Sequence, residues 1–249
     1  MKRLLVFAAV FVVVTMLGGC IDGILSRGAM QDLYTAASIT DQDLKNMSRK
    51  MRDMGDKQNK VAPADNKYGA RLIRLTNRFR REDGLTLNFK VYLTSDINAN
   101  ATADGSIRVY SGLMDLMTDN ELLFVIGHEI GHVKNNDSLD KVRMAYASSG
   151  ALKAAAASGV TGAQALSNAD LQGLLHTVLN AQFSQSQESS SDAYGYNLMK
   201  KYEIDVKAAV SALEKLNRLG SSGNVMSSHP SSGDRVRAIQ GMIERDSKK

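Results

Sequence analysis

The stretch FVIGHEIGHVKNND, residues 124–137, holds two of the four histidines of the chain, with a glutamate directly after the first. His128 and His132 are four apart, so on a helix they lie one turn apart on one face. Two imidazoles at that spacing can hold one zinc ion, and Glu129 stands where it can take a proton from water activated by the metal. The flanks predict a helix. Thr118 and Glu121 have the spacing of a capping box, and an apolar run follows from Leu122 to Ile126. With Ile130 and Val133, these apolar residues surround the segment on most sides, which predicts a buried helix. Gly127 and Gly131 each cost about 1 kcal/mol relative to alanine in a helix interior. They make sense if another backbone must come close. The plain alternative is a core helix whose two histidines bond to other protein groups.

Outward from this helix, the 249 residues are 43% apolar and 23% charged, ordinary for a globular protein with one sizeable core or two small ones. The formal charge of +5 is spread along the chain, without a nucleic-acid motif. Its basic runs are expected to be solvated helix faces, better suited to anionic lipid than to nucleic acid. The start is different. MKRLLVFAAVFVVVTMLGGC has two basic residues, fourteen residues from Leu4 to Leu17 that are almost all apolar, then small residues and Cys20. As a helix that run rises about 21 Å, short of a roughly 30 Å hydrocarbon core. It is therefore an export signal by its pattern. Leu17-Gly18-Gly19-Cys20 resembles the lipobox of bacterial lipoproteins, which implies that residues 1–19 are removed and Cys20 is acylated. Residues 20–30 would then form a lipidated tether, leaving 31–249 as the folded domain. Ile21 after the cysteine implies, by the same resemblance, an outer-membrane lipoprotein facing the periplasm. Cys20 is the only cysteine, so no intrachain disulfide is available.

Periodicity predicts helices over about 31–57 and 65–81. GLTLNFKVYLTS alternates as one strand, with Leu85, Leu87, Phe89, Val91 and Leu93 on one face. SIRVYSG is a second short strand. Residues 148–167 are rich in small residues and fit either a helix or a flap. One long helix is expected from Asn168 to Tyr202, and further helices over about 206–219 and 234–245.

A catalytic zinc usually takes three protein ligands and leaves one position for water. Asn135 and Ser138 occupy the positions that would carry the glycine and third histidine of an extended histidine motif, which excludes that class. Asp137 is a weak candidate, too near the end of the same helix to swing back. SQSQESSSDAYGY, residues 184–196, offers Glu188 and Asp192, four apart on one helical face. Glu188 can complete a His-His-Glu site, and Asp192 can accept the outer N–H of a ligating histidine. Alone, the pair is equally two carboxylates on a wet face.

Taken together, these segments resemble the HtpX-type and CaaX-protease-like zinc metallopeptidases of the gluzincin group, in particular its small bacterial lipoproteins. The resemblance covers about Ile97 to Ile239. NANATADGSIRVYSGLM is similar to the strand and turn before the zinc helix, HEIGH to the H-E-x-x-H motif, and Glu188 with Asp192 to E-x-x-x-D. The alanine usual before that aspartate is Ser191 here. SSHPSSGDRVRAI is similar to a late His-Pro segment, and this places His229 and Arg235 near the active site. The resemblance implies a mostly helical α+β, zincin-like domain with a small sheet beside the motif helix.

The expected chemistry is that of a zinc endopeptidase. One Zn2+ is held by His128, His132 and Glu188, with Glu129 as general base and His229 helping to stabilise the oxyanion. Ser106, Ile107, Arg108, Val109 and Tyr110 would receive extended polypeptide as an added strand. The clients would then be unfolded, damaged or misassembled envelope proteins, met beside the membrane and alongside envelope assembly or quality-control proteins. The rival is a non-enzymatic envelope lipoprotein, a chaperone or scaffold whose zinc site is closed by His229. A lipid- or ester-hydrolysing enzyme would need a serine elbow, which the sequence lacks.

Overall fold

The motif helix, α4 (Asp119–Lys134), runs through the centre of the fold, with every residue from Glu121 to Val133 buried. Its first turn is closed by the expected capping box: the Thr118 side chain accepts from Glu121 N, and Glu121 accepts from Thr118 N. The computed structural model describes residues 39–149, 166–220, 228–230 and 233–248. The signal segment, Cys20, the tether and most of 148–167 lie outside the described residues.

In chain order the other elements are α1 (Asp41–Gln58), α2 (Lys67–Thr76) with a 3-10 turn (Asn77–Phe79), β1 (Arg81–Glu82), β2 (Leu85–Thr86), β3 (Asn88–Tyr92), β4 (Ala99–Ala101), β5 (Ser106–Tyr110), α3 (Ser111–Leu116), α5 (Asp137–Ser148), α6 (Asn168–Asn180), α7 (Gln185–Lys201), α8 (Lys207–Leu219) and α9 (Gly233–Ser247). The result is a mostly helical α+β fold in which short strands accompany the motif helix.

The strand expected over 85–93 divides. Asp83 and Gly84, both at positive φ, turn β1 back onto β2 as a two-residue hairpin. Leu87 N then donates to Arg80 O and Asn88 N to Gly105 O, so the chain changes sheets within one residue. β3, β5 and β4 form a three-stranded sheet with β5 in the middle, parallel to β3 and antiparallel to β4. Val91, Ile107 and Val109 face the main core with Leu122 and Ile126. The opposite face is also covered. There Arg108, only 1% exposed, is gripped by Asp56 of α1 at 2.7 and 3.0 Å.

The helix expected from Asn168 to Tyr202 is two helices. Ser184 opens α7 with its own capping box to Gln187, and the Asn180 side chain closes α6 by donating to His176 O. Leu171, Leu174 and Leu175 of α6 pack with α1 and α5 in a second core cluster. α7 lies directly against α4. A Cβ on Gly131 would sit 2.9 Å from Ser191 Cα, and one on Gly127 3.0 Å from Gly195 Cα. The two costly glycines therefore permit one close helix crossing. Among the described residues, no helix is long and apolar enough to cross a membrane.

Candidate active site

α4 brings His128, Glu129 and His132 to one buried place, each no more than 2% exposed. His128 Nδ1 lies 2.8 Å from Asp192 Oδ1, and His132 Nδ1 lies 2.8 Å from Asp137 Oδ2. Each carboxylate accepts the Nδ1 proton, which leaves both Nε2 lone pairs pointing inward, 3.0 Å apart. Glu188, from α7, puts Oε1 3.4 Å from His132 Nε2 and Oε2 3.7 Å from His128 Nε2. His229 closes the group, its Nδ1 3.1 Å from His128 Nε2 and 2.9 Å from Glu188 Oε1.

This donor set fits a zinc ion. Bonds of about 2.0–2.1 Å to four tetrahedral ligands imply donor separations of roughly 3.3 Å; the five contacts above are 2.9–3.7 Å, and the four ligand atoms all lie within 4.8 Å of one another. Two facing Nε2 lone pairs repel unless a cation stands between them. Both carboxylate oxygens of Glu129 are buried without a hydrogen-bond partner, although Glu129 Oε1 lies 3.3 Å from His229 Nε2. An orphaned acidic group of this kind is costly unless the site uses it.

Electrostatics follow from burial and partners. Burial opposes charge on Glu188, but the three histidines outweigh it and hold its pKa well below the usual carboxylate range. Burial raises the pKa of Glu129, which has no comparable partner. Burial also lowers His229 to about 4. For Asp192, burial is outweighed by Arg235 and His128, so it stays ionised. Arg235, from α9, grips both Asp192 oxygens at 2.7 Å and reaches Glu188 Oε2 at 2.5 Å, so one cation serves two buried carboxylates.

The structure thus brings together His128, Glu129, His132, Glu188, Asp192, His229 and Arg235. It does not give 106–110 the role expected of them. β5 is hydrogen-bonded on both sides, Ser106 and Arg108 face α1, and no edge is free to take another strand. Only Tyr110 of that strand lines the cavity of ≈ 130 Å³ that opens beside Glu129 and His229.

Three residues beside the histidines were missed or misjudged. Asp137 orients His132, because Asn136 adopts the left-handed conformation (φ 64°) and turns the chain back at the end of α4. Ser191 Oγ lies 3.0 Å from His132 Nδ1. Phe183, in the break between α6 and α7, stacks on His132 with centroids 3.7 Å apart and planes at 7°. Its N–H donates to Ser228 O, holding the segment that carries His229. The S-x-x-Q cap at 184–187 was the legible sign of that break.

A buried His-His-Glu-His cluster on and around an H-E-x-x-H helix, in a mostly helical domain with a small sheet, defines a zincin-like metallopeptidase. The model of Peptidase family M48 matches residues 66–243, and the chain belongs to that family. It is 37% identical to the metalloprotease LoiP of Escherichia coli over 242 residues, covering 94% of each chain. It is 36% identical to the metalloprotease YcaL of the same organism, covering 98% of each. A more distant relative is the mitochondrial metalloendopeptidase OMA1 of Bos taurus, 27% identical over 59% of this chain and 31% of that one. The chain is a metalloendopeptidase with a cluster suited to one zinc ion.

Proposed function

We propose that His128, His132 and Glu188 hold the zinc and that Glu129 is the general base of peptide-bond hydrolysis. The observation that carries this is Glu129 itself, buried without a hydrogen-bond partner beside the convergent donors. A zinc ion here supplies Lewis-acid polarisation of a carbonyl oxygen and acidifies water. Glu129 takes the proton of the attacking water and passes it to the leaving amine. Asp192 and Asp137 hold the two imidazoles in one tautomer, and Arg235 keeps Asp192 and Glu188 ionised. Extended substrate pairs with β4, which is bonded to β5 on one side and, among the described residues, to no strand on the other.

His229 has two competing roles. As an oxyanion donor it stabilises the tetrahedral intermediate. As a fourth ligand it excludes water, and the position of Nδ1 among the donors favours this in the resting protein. A permanently closed site would be structural, the reading of a chaperone or scaffold. His229→Ala separates them: loss of kcat with zinc retained marks a donor, and increased activity marks a blocking ligand.

The setting is the bacterial envelope, with Cys20 acylated and the domain facing the periplasm from the outer membrane. The clients are unfolded or misassembled envelope polypeptides. The lipobox-like LGGC supports the anchor, and a backbone-pairing substrate mode supports unfolded clients. Zinc analysis beside a casein-type assay, with and without chelator, tests the activity. Glu129→Gln should keep zinc but lose at least roughly 100-fold in rate, whereas Glu188→Gln should lose zinc. Equal zinc and equal activity in all three proteins would refute the assignment. Wild type recovered as a soluble periplasmic protein would refute the anchor.

A further inference from the structure

Lys141, on α5, is a cation that the proposed mechanism does not use. Its Nζ lies 3.2 Å from the centroid of the Phe183 ring, which also stacks on His132. One ring face cannot hold both groups at such distances, so Phe183 is sandwiched between His132 and the ammonium. The side chain lines the same ≈ 130 Å³ cavity as Glu129 and His229, beside Met51, Val142 and Leu175. A lysine on a helix usually extends its ammonium into water. This one is held over an aromatic ring, inside a largely apolar recess next to the reacting groups.

An ammonium has three N–H donors. Among the described residues Lys141 forms no hydrogen bond or ion pair, and the contact with Phe183 is its one specific interaction. Glu129, Glu188 and Asp137 act on it only from longer range, and burial brings its pKa down to about 8, so it is still mostly charged at neutral pH. A desolvated cation with free donors in a substrate-sized recess is matched by a carboxylate.

We infer that Lys141 determines specificity: its ammonium receives the carboxylate of an aspartate or glutamate side chain flanking the scissile bond. This rests on the peptidase reading above. The occupant is an internal side chain because an endopeptidase meets few chain ends.

The test starts from a peptide, blocked at both ends, that the zinc enzyme cuts at one bond identified in a casein digest. Versions carrying Glu, Gln, Leu or Lys at each position flanking that bond are compared by kcat/KM. At one position Glu should exceed Gln by at least roughly 10-fold, the size of a charge-assisted hydrogen bond. In Lys141→Met that ratio should fall to about 1, with zinc content and Tm as in wild type, and in Lys141→Glu the preference should turn toward Lys. Lys141→Arg should retain a preference for Glu, which guards against loss of fold in the other variants. Calorimetric binding of the Glu and Gln peptides to zinc-loaded Glu129→Gln protein gives a readout without turnover, and should favour Glu. Absence of any cleavage would count against the peptidase reading, and the binding comparison would then decide this one. A Glu-to-Gln ratio near one at both positions, a ratio that survives Lys141→Met, equal binding of the two peptides, or a preference only for a free C-terminal carboxylate would overturn it.

Discussion

Replacing Gly131 with alanine tests whether the spacing between α4 and α7 sets the geometry of the metal site. The new methyl group would stand 2.9 Å from Ser191 Cα, 3.1 Å from Ser191 O and 3.1 Å from Tyr194 Cβ. Two of these neighbours are backbone atoms, which cannot rotate away, so the helices must part by about half an ångström to reach ordinary contact. Overpacking of this kind costs roughly 1–3 kcal/mol. Alanine returns about 1 kcal/mol of helix propensity, for a net loss of about 0–2 kcal/mol. The larger effect falls on zinc. His128 and His132 ride on α4 and Glu188 on α7, and metal–ligand distances tolerate only about 0.2 Å. Zinc affinity should therefore fall by roughly 10–100-fold, the range for damage just outside the ligands. The assay is competition with a chromogenic chelator, alongside thermal unfolding with and without zinc. Gly173→Ala is the control: its Cβ would meet nothing within 4 Å, on a helix that supplies none of the proposed ligands. It should stabilise the fold by about 0.5–1 kcal/mol and leave zinc binding alone. Wild-type zinc affinity in Gly131→Ala would refute the argument that this crossing holds the ligands in place.

Arg235→Met leaves Asp192 and Glu188 buried without their cation, so urea unfolding of the metal-free protein should show a loss of roughly 3–5 kcal/mol. Phe183→Ala removes a ring that is 7% exposed, stacked on His132 and in contact with His229. Stability should fall by about 3–5 kcal/mol in a thermal or urea scan, and less if the segment around Ser228 collapses into the space. Asp56, gripped by Arg108, has its pKa lowered to about 2: burial opposes this, but hydrogen bonds from Arg108, Lys90 and Tyr92 outweigh it. Because the folded value lies below the ordinary 3.8, its contribution is full above about pH 5 and is lost as pH falls through 4 toward 2. After allowance for solvent screening the loss is about 1–2 kcal/mol, and Asp56→Asn should flatten the acid limb of the stability curve by that amount.

What could be read from the sequence was local. His128, Glu129 and His132 declare themselves by i, i+4 spacing, and the Thr118–Glu121 cap fixes where their helix begins. Glu188 and Asp192 follow the same rule on a second helix. Positions set by contacts distant in the chain were not legible. Nothing in SIRVY says that β3 and β4 will flank it on both sides, since strand order is decided by how helices cover the sheet. Lys141 has the look of any solvated helical lysine until Phe183 is brought under it, and Phe183 is hidden by a leucine stripe whose period alone gives no sign of the helix end at Asn180. Asp137 was set aside on helical geometry, which Asn136 breaks by entering the left-handed region.

Ser191 shows how a departure from the family pattern is read only with both helices present. The alanine implied by the resemblance and this serine are both small, and a Cβ on Gly131 would stand 2.9 Å from Ser191 Cα, so the close crossing favours a small residue here. The crossing does not explain the hydroxyl. Ser191 Oγ is 3.0 Å from His132 Nδ1 and 3.5 Å from Asp137 Oδ2, close to the hydrogen bond that sets the tautomer of His132. Since Nδ1 holds its proton toward Asp137, the hydroxyl cannot donate to it; its oxygen can accept a share of that N–H at 3.0 Å, and its own proton has the carboxylate at 3.5 Å. Serine in place of alanine therefore keeps the packing and adds a second polar contact behind His132, one step removed from the proposed ligand atom.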